Sequence, residues 1–229
     1  MLKINNLSHR YGKQLIIDQL SIETKGSGLH VFAGANGCGK STLFRLIAGF
    51  DVPAKGSIEL NQMSQADDYR SQLGISLEPF ITEPNLTVSQ ILTMAQLEKN
   101  VDAKNIEHWL VFWELNDAIN KRFKELSVGM IKRLSLIISL IGNPQILIWD
   151  EPFNGLDPLG IEKLQVLIEQ EIQAGKLILL STHLLSELSN TIEQAFIMEE
   201  GRVKKTLTKD ELNNPEDKST ILKWLQAQS

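Results

Sequence analysis

The sequence has one cysteine, no long hydrophobic run and no excess of basic residues, and each shortage excludes a class of protein. Because Cys38 is alone, an intrachain disulfide framework is impossible and a reducing compartment is expected. The longest apolar run, Leu134 to Ile141, is far shorter than the roughly 18–20 residues that a membrane-spanning helix needs. A net charge of −5 disfavours binding to nucleic acid through phosphate neutralisation, so no nucleic-acid partner is expected.

The composition is that of a globular domain, with 42% hydrophobic and 22% charged residues in a chain of 229. Short apolar strands alternate with helices, which predicts an α/β fold with a parallel sheet covered on both faces. The β pattern fades between residues 78 and 141, where helices are predicted. We interpret that segment as a helical insertion into a core formed by 1–77 and 142–208, with a short helix over 209–229.

A phosphate-binding loop is predicted where "GANGCGKS", Gly34–Ser41, joins a strand to a helix and fits G-x-x-x-x-G-K-[ST]. The glycines let main-chain N–H groups point inward, and the helix N-terminus adds partial positive charge. Lys40 is expected to reach the β and γ phosphates. The candidate nucleotide-binding residues are Gly34, Asn36, Gly37, Cys38, Gly39, Lys40, Ser41 and Thr42, with Ser41 also a magnesium ligand.

Cys38 lies inside this loop and has two interpretations. It is either a small residue that fills space or a thiol activated by Lys40 and the helix end. The activated thiol predicts that alkylation blocks ATP binding and that ATP protects against it.

Acidic residues follow the apolar strand "ILIWD", at the sequence "DEP". Successive strand side chains point to opposite faces, so Asp150 and Glu151 need not share one role. Asp150 is predicted to hold Mg²⁺ and Glu151 to act as general base toward a water. His183 follows a second apolar strand and is predicted to contact the γ-phosphate, although a structural histidine is the alternative.

A second candidate anion site occurs in "KELSVGMIKR", where Ser127 and Gly129 open an apolar helix. In the sequence it lies between the phosphate loop and the carboxylates, so the residues alone do not show which molecule's phosphate it binds.

In this order, the phosphate loop, "LSVGM", "ILIWDEP", "NGLD" and "STH" resemble the ATP-binding subunit of an ABC transporter. The resemblance implies a RecA-like P-loop NTPase core with an inserted helical subdomain and a small antiparallel β subdomain. It implies an ATPase with ATP and Mg²⁺ as cofactors, located in the cytoplasm and peripheral on the inner face of the cell membrane. The implied partners are a separate transmembrane permease and a second copy of the chain or a relative.

The resemblance also implies roles for five further residues. Tyr11 matches the position whose ring stacks on adenine, with a core tyrosine as the alternative. Ser127 and Gly129 would bind the γ-phosphate held by a partner subunit packed head to tail. Asp157 would lie near the twofold axis, and Glu78 stands where a glutamine that contacts Mg²⁺ and water is expected, with a simple loop acid as the alternative.

Departures from the family pattern refine this assignment. Val128 and Met130 replace a glycine and a glutamine of LSGGQ, and the S-x-G-M form resembles the branch that exports drugs, antibiotics or polysaccharides. Val128 would be strained if its position required a positive φ, so we infer that only Gly129 must stay small. A permease contact is expected around residues 78–97, with Trp109, Phe112 and Trp113 as either contact or core residues. The alternative function is a soluble ABC ATPase that acts on ribosomes or DNA.

Overall fold

The computed structural model describes residues 1–61, 63–64, 69–101, 106–182, 188 and 191–214, which form two sheets and six helices. The strands are β1 Leu2–Tyr11, β2 Gln14–Glu23, β3 Gly28–Ala33, β4 Lys55–Leu60, β5 Met63–Ser64, β6 Leu73–Ser76, β7 Ile146–Asp150, β8 Leu177–Ser181, β9 Ile192–Glu199 and β10 Arg202–Thr208. The helices are α1 Lys40–Ile47, α2 Val88–Lys99, α3 Ile106–Phe112, α4 Val128–Leu140, α5 Pro158–Gln173 and α6 Lys209–Asn213.

The larger sheet has six strands in the order β10-β9-β3-β8-β7-β6. The five strands from β9 to β6 run parallel, and β10 closes one edge by antiparallel pairing with β9. Both faces are buried, because alternate residues of one strand enter different cores: Trp149 faces one and Ile148 the other. The carboxyl ends of β3, β7 and β8 therefore meet at one edge, where the candidate site lies.

The smaller sheet is antiparallel, with the order β2-β1-β4-β5. Its apolar side chains share a core with α1 and with one face of the larger sheet, where Phe32 stacks on Phe196 at 5.0 Å between ring centroids. This sheet thereby supports the helix that follows the phosphate loop. The arrangement confirms the predicted mixed α/β fold with a small antiparallel part.

The helical insertion packs against the opposite face of the larger sheet. Side chains of α2, α3 and α4 join a continuous core with Trp149 and with residues of α5. Trp113 is fully buried there, whereas Trp109 and Phe112 are partly buried against the same core. The insertion is thus joined to the sheet through shared packing, chiefly along α4 and β6.

Most of the polar stretch "SHRYGKQ" is strand. β1 continues to Tyr11, because His9, Arg10 and Tyr11 pair with β2, and the turn occupies only Gly12 and Lys13. The C-terminal helix is seen only as α6, since residues 215–229 lie outside the described part. None of the described helices combines the length and apolar character needed to span a bilayer.

Candidate active site

The phosphate loop runs from the end of β3 to the start of α1. Gly37 and Gly39 have φ angles of 79° and 109°, in the left-handed region that favours glycine. A Cβ at Gly34 would come within 2.3 Å of the Met198 carbonyl oxygen, so the main chain of β9 packs directly on the loop. The sequence pattern is therefore required by backbone conformation at two glycines and by close packing at a third.

Lys40 is the positive group at the centre of this loop. Its side chain is buried, and its Nζ donates to the carbonyl oxygens of Gly34 at 2.8 Å and Ala35 at 3.2 Å. The same Nζ lies 3.6 Å from Glu151 Oε1. The loop lysine and the predicted general base are therefore adjacent, although the two lie far apart in the chain.

The remaining loop residues divide by exposure. Asn36 and Ser41 are exposed and Thr42 is partly exposed, so their polar groups are available to a ligand. Cys38 is buried, and burial raises the pKa of its thiol above its ordinary value, more than the nearby Lys40 lowers it. Burial thus favours the interpretation of Cys38 as a small residue that fills space over that of an activated thiol. Its thiol fills space beside Gly34.

Asp150 is the last residue of β7 and Glu151 follows it, and both are held by the next strand. Ser181, opposite Asp150 in β8, donates from its Oγ to Asp150 Oδ1 at 2.5 Å and accepts the Glu151 N–H at 2.8 Å. Asp150 is fully buried, and its Oδ2 has no hydrogen-bond partner among the described residues. Sequence reasoning missed Ser181, although a polar residue at the end of the neighbouring apolar strand was the available signal. His183 lies outside the described residues.

Lys132 is the other residue that sequence reasoning missed. It belongs to α4, is only 6% exposed, and donates to the Glu151 carbonyl oxygen at 3.0 Å. Its Nζ also forms an ion pair with Glu78 Oε1 at 2.5 Å. The structure thus places the Glu78 carboxylate against a lysine of the same chain. A lysine on the buried face of an apolar helix was the signal for it.

Glu78 also lines a groove of about 430 Å³ between its loop and α4. The other groove residues are Pro79, Phe80, Val128, Ile131, Lys132 and Ser135. Three exposed apolar side chains, Ile81, Met94 and Leu97, lie within residues 78–97, where the sequence predicted a permease contact. Val111 is also exposed and lies among the aromatic residues Trp109, Phe112 and Trp113.

The second anion site lies at the start of α4. Ser127 is the N-cap residue, and its Oγ accepts the Met130 N–H at 3.2 Å. Val128 is the first residue of the helix and is not among the residues with positive φ, so its side chain causes no backbone strain. A Cβ on Gly129 would come within 2.8 Å of the Gly155 carbonyl oxygen, which supports the inference that only this position must stay small.

Asp157 begins α5 and accepts the Gly160 N–H at 3.0 Å. Its Oδ1 also accepts a hydrogen bond from Arg133 Nη2 at 2.7 Å, and this contact holds the pKa of Asp157 below its ordinary value. Arg133 follows Lys132 in α4. The segment that contains Asp157 is therefore joined to α4 of the same chain.

Tyr11 lies at the edge of the loop region. It is 47% exposed, so the interpretation as a core tyrosine is wrong. Its hydroxyl donates to Asp51 Oδ2 at 2.6 Å, and Arg45 of α1 holds the same carboxylate at 2.8 and 3.1 Å. The ring is thereby anchored at its hydroxyl end and is about half exposed, which leaves surface for stacking.

Comparisons with known proteins agree with this geometry. The sequence model of the ABC transporter family matches residues 17–154. The chain is 33% identical over 205 residues to the lantibiotic transport ATP-binding protein SrtF of Streptococcus pyogenes, covering 89% of each chain. It is 31% identical over 217 residues to the bacitracin transport ATP-binding protein BcrA of Bacillus licheniformis, covering 93% of this chain and 71% of the relative. A solved ATP-binding subunit of an ABC transporter superposes with a TM-score of 0.85 at 27% identity, covering 99% and 98% of the two chains.

Proposed function

This chain belongs to the ABC transporter family of ATP-binding subunits, and from that premise we propose that it hydrolyses ATP to drive a separate membrane permease that exports its cargo. One observation carries the proposal: Lys40 of the phosphate loop lies 3.6 Å from Glu151, beside the buried Asp150. A phosphate-binding cation, a general base and a metal-binding carboxylate thus share one edge of the sheet. The direction of transport rests on the lantibiotic and bacitracin transport relatives and on the signature form "SVGM".

The loop residues are proposed to bind the nucleotide phosphates. The main-chain N–H groups between Gly37 and Ser41 and the N-terminus of α1 attract the anion. Lys40 exchanges its two carbonyl contacts for phosphate oxygens, since a phosphate is a charged and therefore stronger acceptor. Thr42 contacts phosphate beside them, and Tyr11 stacks on the adenine.

The site suits Mg²⁺, which prefers oxygen ligands. Asp150 Oδ2 is buried without a hydrogen-bond partner among the described residues, and the Ser41 hydroxyl is exposed at the start of α1. We propose that these two groups hold the metal, with Glu78 as a third candidate. When bound, Mg²⁺ neutralises charge on the β and γ phosphates.

Glu151 is proposed as the general base. Its carboxylate accepts a proton from water as the water oxygen attacks the γ-phosphorus and the bond to ADP breaks. Ser181 holds the Glu151 N–H at 2.8 Å, so the main chain that carries this carboxylate is fixed before the reaction. His183 is proposed to orient the same water.

Each subunit is proposed to supply half of two composite sites. Ser127 caps the start of α4, and Gly129 packs against the Gly155 carbonyl oxygen of its own chain. In a head-to-tail dimer they would bind the γ-phosphate held by the partner, and Asp157 would lie near the axis. ATP would then drive closure because it binds the closed dimer more tightly than the open one.

The permease is proposed to dock on the groove beside Glu78 and on the exposed apolar side chains of the helical insertion, which we propose spans 78–141. Exposed apolar side chains of this kind mark contact surfaces. Such docking would place the subunit on the cytoplasmic face of the cell membrane.

Co-purification from the native cell tests the proposal. A tagged chain from gently solubilised membranes is expected to carry a multi-spanning membrane protein with it. Recovery of ribosomes or DNA-repair proteins, with no membrane protein, would support the soluble ABC ATPase and overturn the transporter proposal.

A further inference from the structure

One face of α4 carries polar side chains that each have a specific partner on the larger sheet. Ser139 accepts the Trp149 Nε1–H at 2.9 Å, and Ser135 Oγ lies 2.7 Å from Ser76 Oγ. Lys132 is three residues before Ser135 and is therefore the next residue on this face. All of these side chains are buried, so α4 is fixed in register against β6 and β7, and Glu151 follows directly after β7.

Lys132 ends this row with three oxygen partners. Its Nζ lies 3.0 Å from the Glu151 carbonyl oxygen, 3.5 Å from that of Asp150 and 2.5 Å from Glu78 Oε1. A buried ammonium needs compensation for its lost hydration, and its three N–H groups match these acceptors. Lys132 is 6% exposed and Glu78 is 36% exposed, so the lysine depends on this pair more than the carboxylate does.

Glu151 has a main-chain conformation that requires support. Its φ of 45° is in the left-handed region, which a residue with a Cβ adopts only at a cost of about 1 kcal/mol or more. The peptide is held from both sides: Ser181 Oγ accepts its N–H, and Lys132 donates to its carbonyl oxygen. The direction of the Glu151 carboxylate therefore depends on Lys132.

We propose that Lys132 is a positioning residue for ATP hydrolysis, which orients the Glu151 turn and links it to Glu78 in the groove. The inference rests on the proposed function. Because Glu78 and the two main-chain carbonyls share one ammonium, a change at Glu78 alters how Lys132 holds the turn. A molecule that binds in the groove and contacts Glu78 would thereby change how Lys132 positions Glu151, the general base. The negative charge of Glu78 is offset by Lys132 within the chain.

The first test compares Lys132→Met with Lys124→Met, a matched control at an exposed lysine just before α4. A misplaced base lowers kcat by about 10- to 100-fold, and the KM for ATP is expected to change less than about twofold because the phosphate loop is untouched. Lys132→Arg is expected to recover most of the lost activity. Lys132→Met with the kcat of Lys124→Met would overturn the inference.

A double-mutant cycle tests the link to Glu78. Glu78→Gln keeps a side-chain oxygen of the same reach and removes only the negative charge that faces Lys132, so kcat is expected to change by about threefold or more. That change is expected to vanish in the Lys132→Met background. Equal effects of Glu78→Gln in both backgrounds would show that Glu78 does not act through Lys132.

Folding and the proposed function are controlled separately. Circular dichroism and thermal melting identify a variant that has merely unfolded. If Lys132→Met is unfolded, Lys132→Gln, which keeps a hydrogen-bond donor without the charge, is measured in its place. A wild-type kcat for Lys132→Gln would overturn the inference. Wild-type protein that does not hydrolyse ATP more than Glu151→Gln would refute the proposed function itself. Active wild-type protein with unaffected Lys132 variants would refute only the positioning role.

Discussion

Gly129 faces the Gly155 carbonyl oxygen so closely that a single added Cβ would lie 2.8 Å from it. Val128, the preceding residue, packs on Gly155 from the other side, since a Cβ on Gly155 would meet Val128 Cγ1 at 2.8 Å. The start of α4 and the loop before Asp157 therefore pack together through two glycines. A side chain added at Gly129 or Gly155 must therefore displace the segment that faces it.

This contact predicts opposite outcomes for neighbouring substitutions. Gly129→Ala adds a carbon to a packed site, which causes strain. The substitution is expected to lower the free energy of unfolding by about 1–3 kcal/mol or to displace the loop around Gly155. ATP hydrolysis should fall with it. Val128→Gly restores the common family residue at a 72% exposed position and should leave hydrolysis within about threefold. Thermal melts and steady-state hydrolysis measure both, and unchanged values for Gly129→Ala would contradict the packing argument.

Glu151→Gln separates ATP binding from hydrolysis. Loss of the general base is expected to reduce kcat by about 100-fold or more, while the neutral side chain leaves the phosphate site intact. ATP should then trap a dimer that dissociates when nucleotide is removed, measurable by gel filtration with light scattering. Lys40→Ala is the control, since it should lose ATP binding and remain monomeric. A Glu151→Gln protein that stays monomeric at saturating ATP would contradict pairing by this chain alone.

Tyr11 is predicted to stack on adenine through its ring and to be held there by Asp51. Tyr11→Ala should weaken ATP binding by about 10-fold, since stacking on a base contributes about 1–3 kcal/mol. Tyr11→Phe keeps the ring and loses only the 2.6 Å hydrogen bond, so its loss should be about threefold or less. Fluorescent ATP titration measures both. Equal losses for the two variants would assign the effect to the hydroxyl and not to stacking.

His30 should make stability depend on pH. It is fully buried in β3, and burial lowers its pKa from 6.5 to about 4. Above pH 6.5 the imidazole is neutral in both states, so it adds no pH dependence there. Between pH 6.5 and 4 the unfolded chain takes up a proton that the folded chain does not, so stability falls as pH falls, by about 3 kcal/mol at the lower limit.

Urea unfolding at several pH values tests this expectation. His30→Leu should flatten the curve between pH 6.5 and 4, whereas His108→Gln, at an exposed histidine, should leave it unchanged. Parallel curves for the wild type and His30→Leu would mean that other groups cause the acid destabilisation.

The local motifs were predictable because their chemistry is local. The residues of the phosphate loop are contiguous, and their glycines are required by the conformation of that same loop. Asp150 and Glu151 were predictable because a buried strand that ends in carboxylates presents them at the sheet edge.

The partners of these motifs were not predictable, since they depend on which elements become neighbours. Ser181 meets Asp150 because β8 pairs with β7 in one register. Lys132 meets Glu78 and Glu151 because α4 packs across the end of β6. In the sequence, Lys132 is simply a basic residue in an amphipathic helix.

The sequence by itself determined the fold class, because hydrophobic periodicity is a local property. It indicated the family through a resemblance to an ordered set of short motifs, each of which can be recognised without knowing what it contacts. Only the tertiary structure decided how the general base is held and that the Glu78 charge is paired within the chain. The physical reason is that a buried ion pair and a supported left-handed peptide are properties of packing. Packing brings together residues that the chain keeps apart.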